Sequence, residues 1–479
     1  MQTYEQLYIG GQWVAPAGSG RMEVISPTSE ETIAQVPDVV EADIDRAVAA
    51  AREAFDHGPW PRMSPSERAD VMERISKGLE ARIPEMAQTI TREMGSPIGF
   101  SMAGQAFAPK MVLDYYTQLA RSFEFEEPRG GTLGGRVLVR REPVGVCGLI
   151  IPWNVPLYVT MLKLSPALAS GSTAVVKAAP ETPLNGYLLA EIASEAGLPE
   201  GVLSILHARR EASERLVVHP EVDKIGFTGS TAVGKRIAQL CGAQLKRFTL
   251  ELGGKSAAIV CDDADLDASI PQLLPGALMN NGQACIAQTR ILASRRRYAE
   301  VVDALVQQVG AMRVGDPLDE QTGCGPLFAE RQRERVEGYI GIGRDEGAKL
   351  ALGGGRPEGL ERGWFVEPTI FSDVDNRMRI AREEIFGPVL AVIPYEDEDD
   401  AVRIANDSDY GLSGSVWTPD VERGTEIGRR VRTGTYGVNQ VGMDFGAPFG
   451  GFKQSGFGRE LGPEGLSAYL EAKTILLPA

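Results

Sequence analysis

Cys285 closes the run Asn280-Asn281-Gly282-Gln283-Ala284-Cys285, a small, polar, glycine-bearing stretch that follows an apolar helix-like segment. Inert cysteines usually sit among large apolar residues. A thiol on a glycine-flanked turn can be reached by a ligand and activated there. The residues alone leave two readings open, a buried inert thiol or a nucleophile. Glu251 lies in Thr249-Leu250-Glu251-Leu252-Gly253-Gly254-Lys255, a single acid between apolar neighbours and just ahead of a Gly-Gly pair. Desolvation there would raise its pKa toward that of a working base. The other reading is a capping acid or a surface partner of Lys255. Asn154, in Pro152-Trp153-Asn154-Val155-Pro156, is an amide confined between prolines. A fixed side-chain N–H suits an oxyanion, and it equally suits the capping of a turn.

A fourth candidate is a turn. Lys224–Thr228 reads as a strand, Gly229 to Gly234 follow, and a helix is expected from Lys235. A strand, a glycine turn and a helix start present N–H groups to a phosphate. The spacing matches G-x-x-x-x-G-K, but Arg236 stands where that motif needs Ser or Thr, and G-x-G-x-x-G is absent. An anion site and a plain tight connection both remain open.

The rest of the composition removes competitors. There are only three histidines (His57, His207, His219), no two at zinc-ligand spacing, no H-E-x-x-H and no G-x-S-x-G. Most metal hydrolases and histidine-dependent hydrolases lose ground. Five scattered cysteines without C-x-x-C point to free thiols in a reducing compartment. The net charge of −16 disfavours nucleic acid and anionic membranes as partners. No signal peptide is visible, and the most apolar stretch, residues 144–164, is broken by Pro152, Asn154, Pro156 and Lys163. A cytoplasmic protein is expected.

The elements that must position these residues are legible as alternation. Tyr8 to Val14 reads as a hairpin around Gly10-Gly11. Residues 43–55 carry a helical apolar stripe, and Ser64-Pro65-Ser66-Glu67 reads as a helix start. From Val144, strands and helices alternate: strands at 144–151, 173–177, 202–206 and 224–228, helices at 157–169 and 184–196. Such alternation argues for a parallel α/β sheet, and a second alternating region runs from about Lys255 to Arg432. Arg136 to Arg141 suits an exposed hairpin arm, with which the tail from Tyr469 to Leu477 could pair. The acidic run Glu396–Asp400 reads as a solvated helix start.

Five segments occur in a fixed order: Pro152-Trp153-Asn154, Glu251-Leu252-Gly253-Gly254-Lys255, Gly282-Gln283-x-Cys285, Glu383-Glu384-Ile385-Phe386-Gly387-Pro388 and Pro448-Phe449-Gly450-Gly451-Phe452-Lys453-x-Ser455-Gly456. In this order the chain resembles the aldehyde dehydrogenase superfamily, of the hydrolytic, non-phosphorylating kind, over essentially its whole length. The resemblance implies an α/β fold with a Rossmann-type cofactor domain (1–122 and 144–253), an α/β catalytic domain (254–453) and a small β oligomerisation arm with the tail (123–143 and 454–479). It implies a homo-oligomer, a dimer or a dimer of dimers.

The same resemblance implies that Cys285 attacks an aldehyde, that Asn154 holds the oxyanion, and that Glu251 activates water, with Lys163 close by. It implies NAD as cofactor, with contacts from Pro152, Trp153, Lys177, Gly229, Ser230, Gly234, Leu252, Glu384 and Phe386. One departure keeps NADP open: the acid often found three residues after the Lys177 position is here Pro180, and Glu181 comes one place later. Leu157, Met161, Ile286, Met443, Phe445 and Phe449 match the aldehyde tunnel. All are apolar, so a small aliphatic, terpenoid or aromatic aldehyde is expected. Two rival classes stand beside this reading: a nucleoside triphosphatase using Gly229–Lys235, and a binding or structural protein that keeps the fold without the chemistry.

Overall fold

The computed structural model describes residues 2–478. Five strands form the parallel centre of the first large sheet. Their spatial order is Arg247–Glu251, Lys224–Thr228, Val146–Ile150, Thr173–Ala178 and Leu203–His207. The N-terminal hairpin, Leu7–Ile9 and Gln12–Val14, closes one edge antiparallel, and Gly456–Phe457 closes the other. Strand Val146–Ile150 sends its residues alternately to two apolar layers: Cys147 and Leu149 to one, Val146 and Ile150 to the other. A sheet covered on both faces needs that continuous apolar text.

The chain winds outward from Val146–Ile150 in one direction and then returns to wind in the other. The carboxyl ends of Val146–Ile150 and Lys224–Thr228, side by side, are therefore a topological switch point, where connections diverge and leave a crevice.

The second large sheet runs Lys349–Leu352, Thr369–Ser372, Val389–Tyr395, Arg290–Ser294, Ala257–Val260, Gly414–Trp417 and Gly437–Val438, parallel except at its first strand. The first sheet takes its strands from residues 7–251, and only Gly456–Phe457 returns to it after the second sheet is complete. The tail strand Leu470–Leu477 pairs antiparallel with Arg136–Pro143, which pairs with Glu126–Gly130. This arm exposes Leu133, Leu476 and Leu477. No helix among the described residues is long and apolar enough to cross a membrane.

Local signals explain most element ends. Ser64 caps Pro65–Ala81, and Glu67 returns a bond to the Ser64 N–H at 2.7 Å. Asp397 caps Glu398–Asn406, the helix that the acidic run begins. One boundary differs from expectation. The helix after the glycine turn starts at Thr231, not at Lys235, because Ser230 caps it by accepting from the Val233 N–H at 3.4 Å. Gly234 lies inside that helix, where a Cβ would stand 2.5 Å from the Leu252 side chain. It serves close helix-to-strand packing rather than a loop.

Candidate active site

The crevice at the switch point has a volume of about 280 Å³. One wall comes from the segment after Val146–Ile150, with Pro152, Trp153, Asn154 and Val155, and from the turn Thr228-Gly229-Ser230. Leu252 and Gly253 continue it, and Cys285, Glu384 and Phe386 face it from the second sheet's side.

Cys285 is the one cysteine of the five that is not buried. The loop before it is locked. Asn280 and Asn281 both have left-handed backbone (φ 55° and 60°), which asparagine tolerates better than most residues. Gly282 follows at φ 74°, and a Cβ there would fall 2.2 Å from the Gly387 carbonyl oxygen. The Asn281 side chain donates to the carbonyls of Gly95 and Pro326 and accepts from the Gly325 N–H. Asn280 Nδ2 donates to the Asn154 carbonyl at 2.8 Å, and Asn154 Nδ2 donates to the Gln283 carbonyl at 2.9 Å. Asn154 thus spends one amide hydrogen on the cysteine loop and keeps a second.

Burial, then the nearby Glu384 and Glu251 carboxylates, pushes the Cys285 thiol up to about 12, against the backbone N–H groups of Cys285 and Ile286. An ordinary thiol near pKa ~8.5 would be a few per cent thiolate at neutral pH. Burial and the two carboxylates thus disfavour the Cys285 thiolate.

Glu251 ends its strand at 3% exposure, and neither carboxylate oxygen has a partner among the described residues. It does not pair with Lys255, whose ammonium is likewise buried and without a protein partner there. Burial and then the charge of Glu460 hold the Glu251 carboxyl well above the usual range, while Lys163 and Arg459 pull it back. Lys163, fully buried in the helix Pro156–Ser170, pairs with Glu460. Glu460 arrives through a backbone exchange with Phe449, its N–H donating to the Phe449 carbonyl at 2.7 Å. The sequence offered no signal for it, because its partners lie some three hundred and two hundred residues upstream.

Glu384 is built differently. Its Oε1 accepts from the Gly254 N–H at 2.9 Å, and a Cβ on Gly253 would stand 2.5 Å from its Oε2. Gly253 is bare because this carboxylate lies against it, and Gly254 because a Cβ there would stand 2.4 Å from the Cys285 carbonyl oxygen. Burial pushes Glu384 up to about 7, opposed by the Gly254 N–H, Arg335 and Lys255. Arg335 and Gln332, on the helix Glu330–Asp345, donate to the carbonyls of Glu384 and Phe386 and hold Phe386 at φ 64°. Both border the crevice, and sequence reasoning named neither. Trp153 stacks on Phe328 at 3.5 Å and meets Phe386 edge-on at 5.4 Å.

Lys177 lies at the end of the next parallel strand. Burial lowers its ammonium to about 8, with Glu181 opposing. Glu181 itself pairs with Arg331 of the Glu330–Asp345 helix.

The six apolar positions divide. Ile286, Met443 and Phe445 are half-buried and pack, with Cys285, against the main interior cluster, to which Phe449 belongs. Leu157 and Met161 are each 1% exposed within that cluster. None of the six borders the crevice; Val155 and Val159 do, and Tyr158 feels the Cys285 charge. At about 100° per residue, Leu157 points well away from the face that Tyr158 and Val159 carry.

A dinucleotide fits these residues. The Ser230-capped helix turns its positive end to the crevice. Thr228 Oγ1, buried on the same wall, has no partner among the described residues.

Known proteins agree with this geometry. The model of the "Aldehyde dehydrogenase family" matches residues 13–475. Geranial dehydrogenase of Castellaniella defragrans is 48% identical over 474 residues, covering 99% of each chain. A 3-succinoylsemialdehyde-pyridine dehydrogenase of a Pseudomonas species is 44% identical, again over 99% of each. Among solved structures, a Mycobacterium tuberculosis aldehyde dehydrogenase complexed with NAD+ matches at TM-score 0.98 and 49% identity, over 100% of this chain and 99% of that one. Aldehyde dehydrogenase C of Pseudomonas syringae, a mutant complexed with NAD+ and octanal, matches at TM-score 0.95 and 42% identity, over 98% and 96%.

Proposed function

This chain belongs to the aldehyde dehydrogenase family, and on that premise we propose that it oxidises apolar aldehydes to carboxylic acids through a thioester on Cys285, hydrolysed with Glu251 as base. It is an NAD(P)-dependent enzyme acting on aldehydes, with NAD as the cofactor of its structural neighbours.

In this reading the Cys285 sulfur, on losing its proton to solvent, adds to the aldehyde carbonyl. The second amide hydrogen of Asn154 and the Cys285 N–H receive the oxyanion. NAD, when bound, would accept the hydride that the carbonyl carbon of this adduct must lose to become a thioester. Ser230 and the turn at Gly229 would hold its pyrophosphate, Lys177 its adenosine ribose and Glu384 its nicotinamide ribose. Trp153 and Phe386 would flank the ring, with Pro152, Leu252 and the Gly234 packing fixing the wall. Water then adds to the thioester carbon as its proton goes to Glu251, the carbon–sulfur bond breaks, and Glu251 passes that proton on to the leaving sulfur, giving free acid and thiol.

The observation that carries this reading is the pair of unpartnered Glu251 oxygens, buried beside the only half-exposed thiol. A buried acid without partners is costly, and burial followed by the charge of Glu460 holds the Glu251 carboxyl well above the usual range, the direction a general base needs. Apolar substrates are supported by the uncharged Ile286, Met443 and Phe445, which pack half-buried against the same interior cluster as Cys285. They are supported too by two relatives, one named for geranial and one bound to octanal. The pyridine semialdehyde in another relative's name keeps aromatic aldehydes in the class.

Glu251→Gln is expected to give one burst of NADH per site and then stall with acylated enzyme. Normal steady-state turnover in that variant would remove Glu251 from the role. Across a substrate panel, octanal and benzaldehyde should exceed succinate semialdehyde and betaine aldehyde in kcat/KM, and the reverse order would defeat the substrate assignment.

A further inference from the structure

The acid cluster behind Glu251 continues past the Lys163–Glu460 pair. Glu460 Oε2 and the hydroxyls of Tyr116 and Tyr469 have no partner among the described residues, and all three side chains are at most 3% exposed. The groups around them come from every neighbouring element: Lys163 and Tyr158 from Pro156–Ser170, Tyr116 from Ala108–Ser122, Cys147 from Val146–Ile150, Lys224 from Lys224–Thr228, Glu251 from Arg247–Glu251, and Arg459 along the chain. Folded proteins satisfy buried polar groups, through ordered water where no protein group serves. The Tyr116 hydroxyl faces the Leu461 N–H, so the orphaned pair left in one neighbourhood is Glu460 Oε2 and the Tyr469 hydroxyl, which one ordered water would satisfy together.

Tyr469 is held with care. The Lys224 ammonium lies 4.7 Å from its ring centre and donates to Thr249 Oγ1 at 3.3 Å. The Tyr469 carbonyl accepts from the Val144 N–H at 3.0 Å, directly before the tail strand pairs with the arm. Gly226, two residues along the strand from Lys224, supplies the space. A Cβ there would lie 3.3 Å from the Tyr469 hydroxyl and 3.4 Å from Lys163 Cδ, so hydroxyl and lysine stem rest on the same bare patch of backbone.

We propose that Tyr469 is a positioning residue for proton transfer: its hydroxyl, set beside Lys163 by the Lys224 ammonium against its ring, bonds the free oxygen of Glu460 through one ordered water and fixes that carboxylate beside Glu251. The inference rests on the reading of Glu251 as the base. Glu460's charge is the largest cause after burial of the raised Glu251 carboxyl. A Glu460 carboxylate free to swing away gives up part of that effect, and Glu251 then titrates at lower pH.

Tyr469→Phe removes one oxygen and keeps the ring over Lys224. The NADH burst and the thermal midpoint should stay as in the unaltered enzyme, while the acid limb of steady-state turnover moves down by about half a pH unit. Lys224→Met, which frees the ring, should move it the same way, and the double variant should add nothing further. A limb that stays in place or moves up in both single variants overturns the proposal. Glu251→Gln separates the two claims: normal turnover there refutes the base itself, whereas a stall there beside an unmoved limb in Tyr469→Phe refutes only the positioning role.

Discussion

Two carboxylates flank Cys285, and they are built on opposite plans. Glu384 is tied down. Its oxygen takes the Gly254 N–H, bare glycine backbone lies under it, and Arg335 and Gln332 grip the chain on either side of Ile385. Glu251 is enclosed but untied, with both oxygens free of protein partners and a second carboxylate, Glu460, close enough to raise it. Burial is the largest cause of the upward shift in both. What differs is the bonding. A group fixed by an N–H and a rigid wall holds a place; an acid left unsatisfied, at a cost of roughly 1–3 kcal/mol, keeps its lone pairs for something that arrives. On the proposed reading, that difference goes with ligand positioning by Glu384 and proton transfer by Glu251.

The largest test concerns the sulfur between them. Cys285→Ala should abolish both the burst and turnover while NAD still binds, since the cofactor wall is untouched. Residual dehydrogenase activity would place the chemistry elsewhere. Next comes Asn154→Ala, expected to lower kcat by about 10²–10³-fold through loss of an oxyanion donor. Because Asn154 also bonds the Gln283 carbonyl, its thermal midpoint should be followed in parallel. A kcat unchanged with an intact fold would return Asn154 to a capping role.

A thiol pushed up to about 12 gives a further expectation with a definite sign. In the cofactor-free enzyme, iodoacetamide should alkylate Cys285 slowly at pH 7, and the rate should still be climbing at pH 10, because thiolate appears only as pH approaches the raised value. A plateau reached near pH 8 would mean that neither burial nor the Glu384 and Glu251 carboxylates oppose the thiolate.

The same contrast explains what could be read from the sequence. The parallel strands, the Ser64 and Asp397 caps and the arm-to-tail pairing follow from local patterns, and the structure contains them. Cys285 and Glu251 stand beside glycines that let chain segments approach closely, Gly282 against the Gly387 carbonyl and Gly254 against the Cys285 carbonyl, so the sequence marks them; Glu384 is legible only through the family resemblance. Glu460, Gln332 and Arg335 carry no such mark: each enters the site from a distant segment through ordinary helix or bridge geometry. Leu157 and Met161 show a different limit. The helix Pro156–Ser170 is buried at all of its residues, so no polar face gives the phase, and the side turned to Cys285, with Tyr158 and Val159, could not be chosen from periodicity. The Thr231 helix start was missed because Gly234 looks like a turn residue when its packing partner, Leu252, is out of view.

The smallest expected effect sharpens the comparison from the tied side. Glu384 titrates near neutrality, pushed up to about 7, so it is ionised above that value and neutral below it. An ionised carboxylate accepts ribose hydroxyl bonds more strongly than a neutral acid. NAD affinity should therefore weaken by about threefold to tenfold as pH falls through 7, within the range of one charge-assisted bond. Glu384→Gln, which keeps the shape and removes the titration, should show the weaker affinity at every pH and no such step. The burst rate at saturating NAD should change little, since the group positions and does not exchange protons. If instead Glu384→Gln stalls after a burst as Glu251→Gln should, the two carboxylates share the proton work and the division drawn between them is wrong.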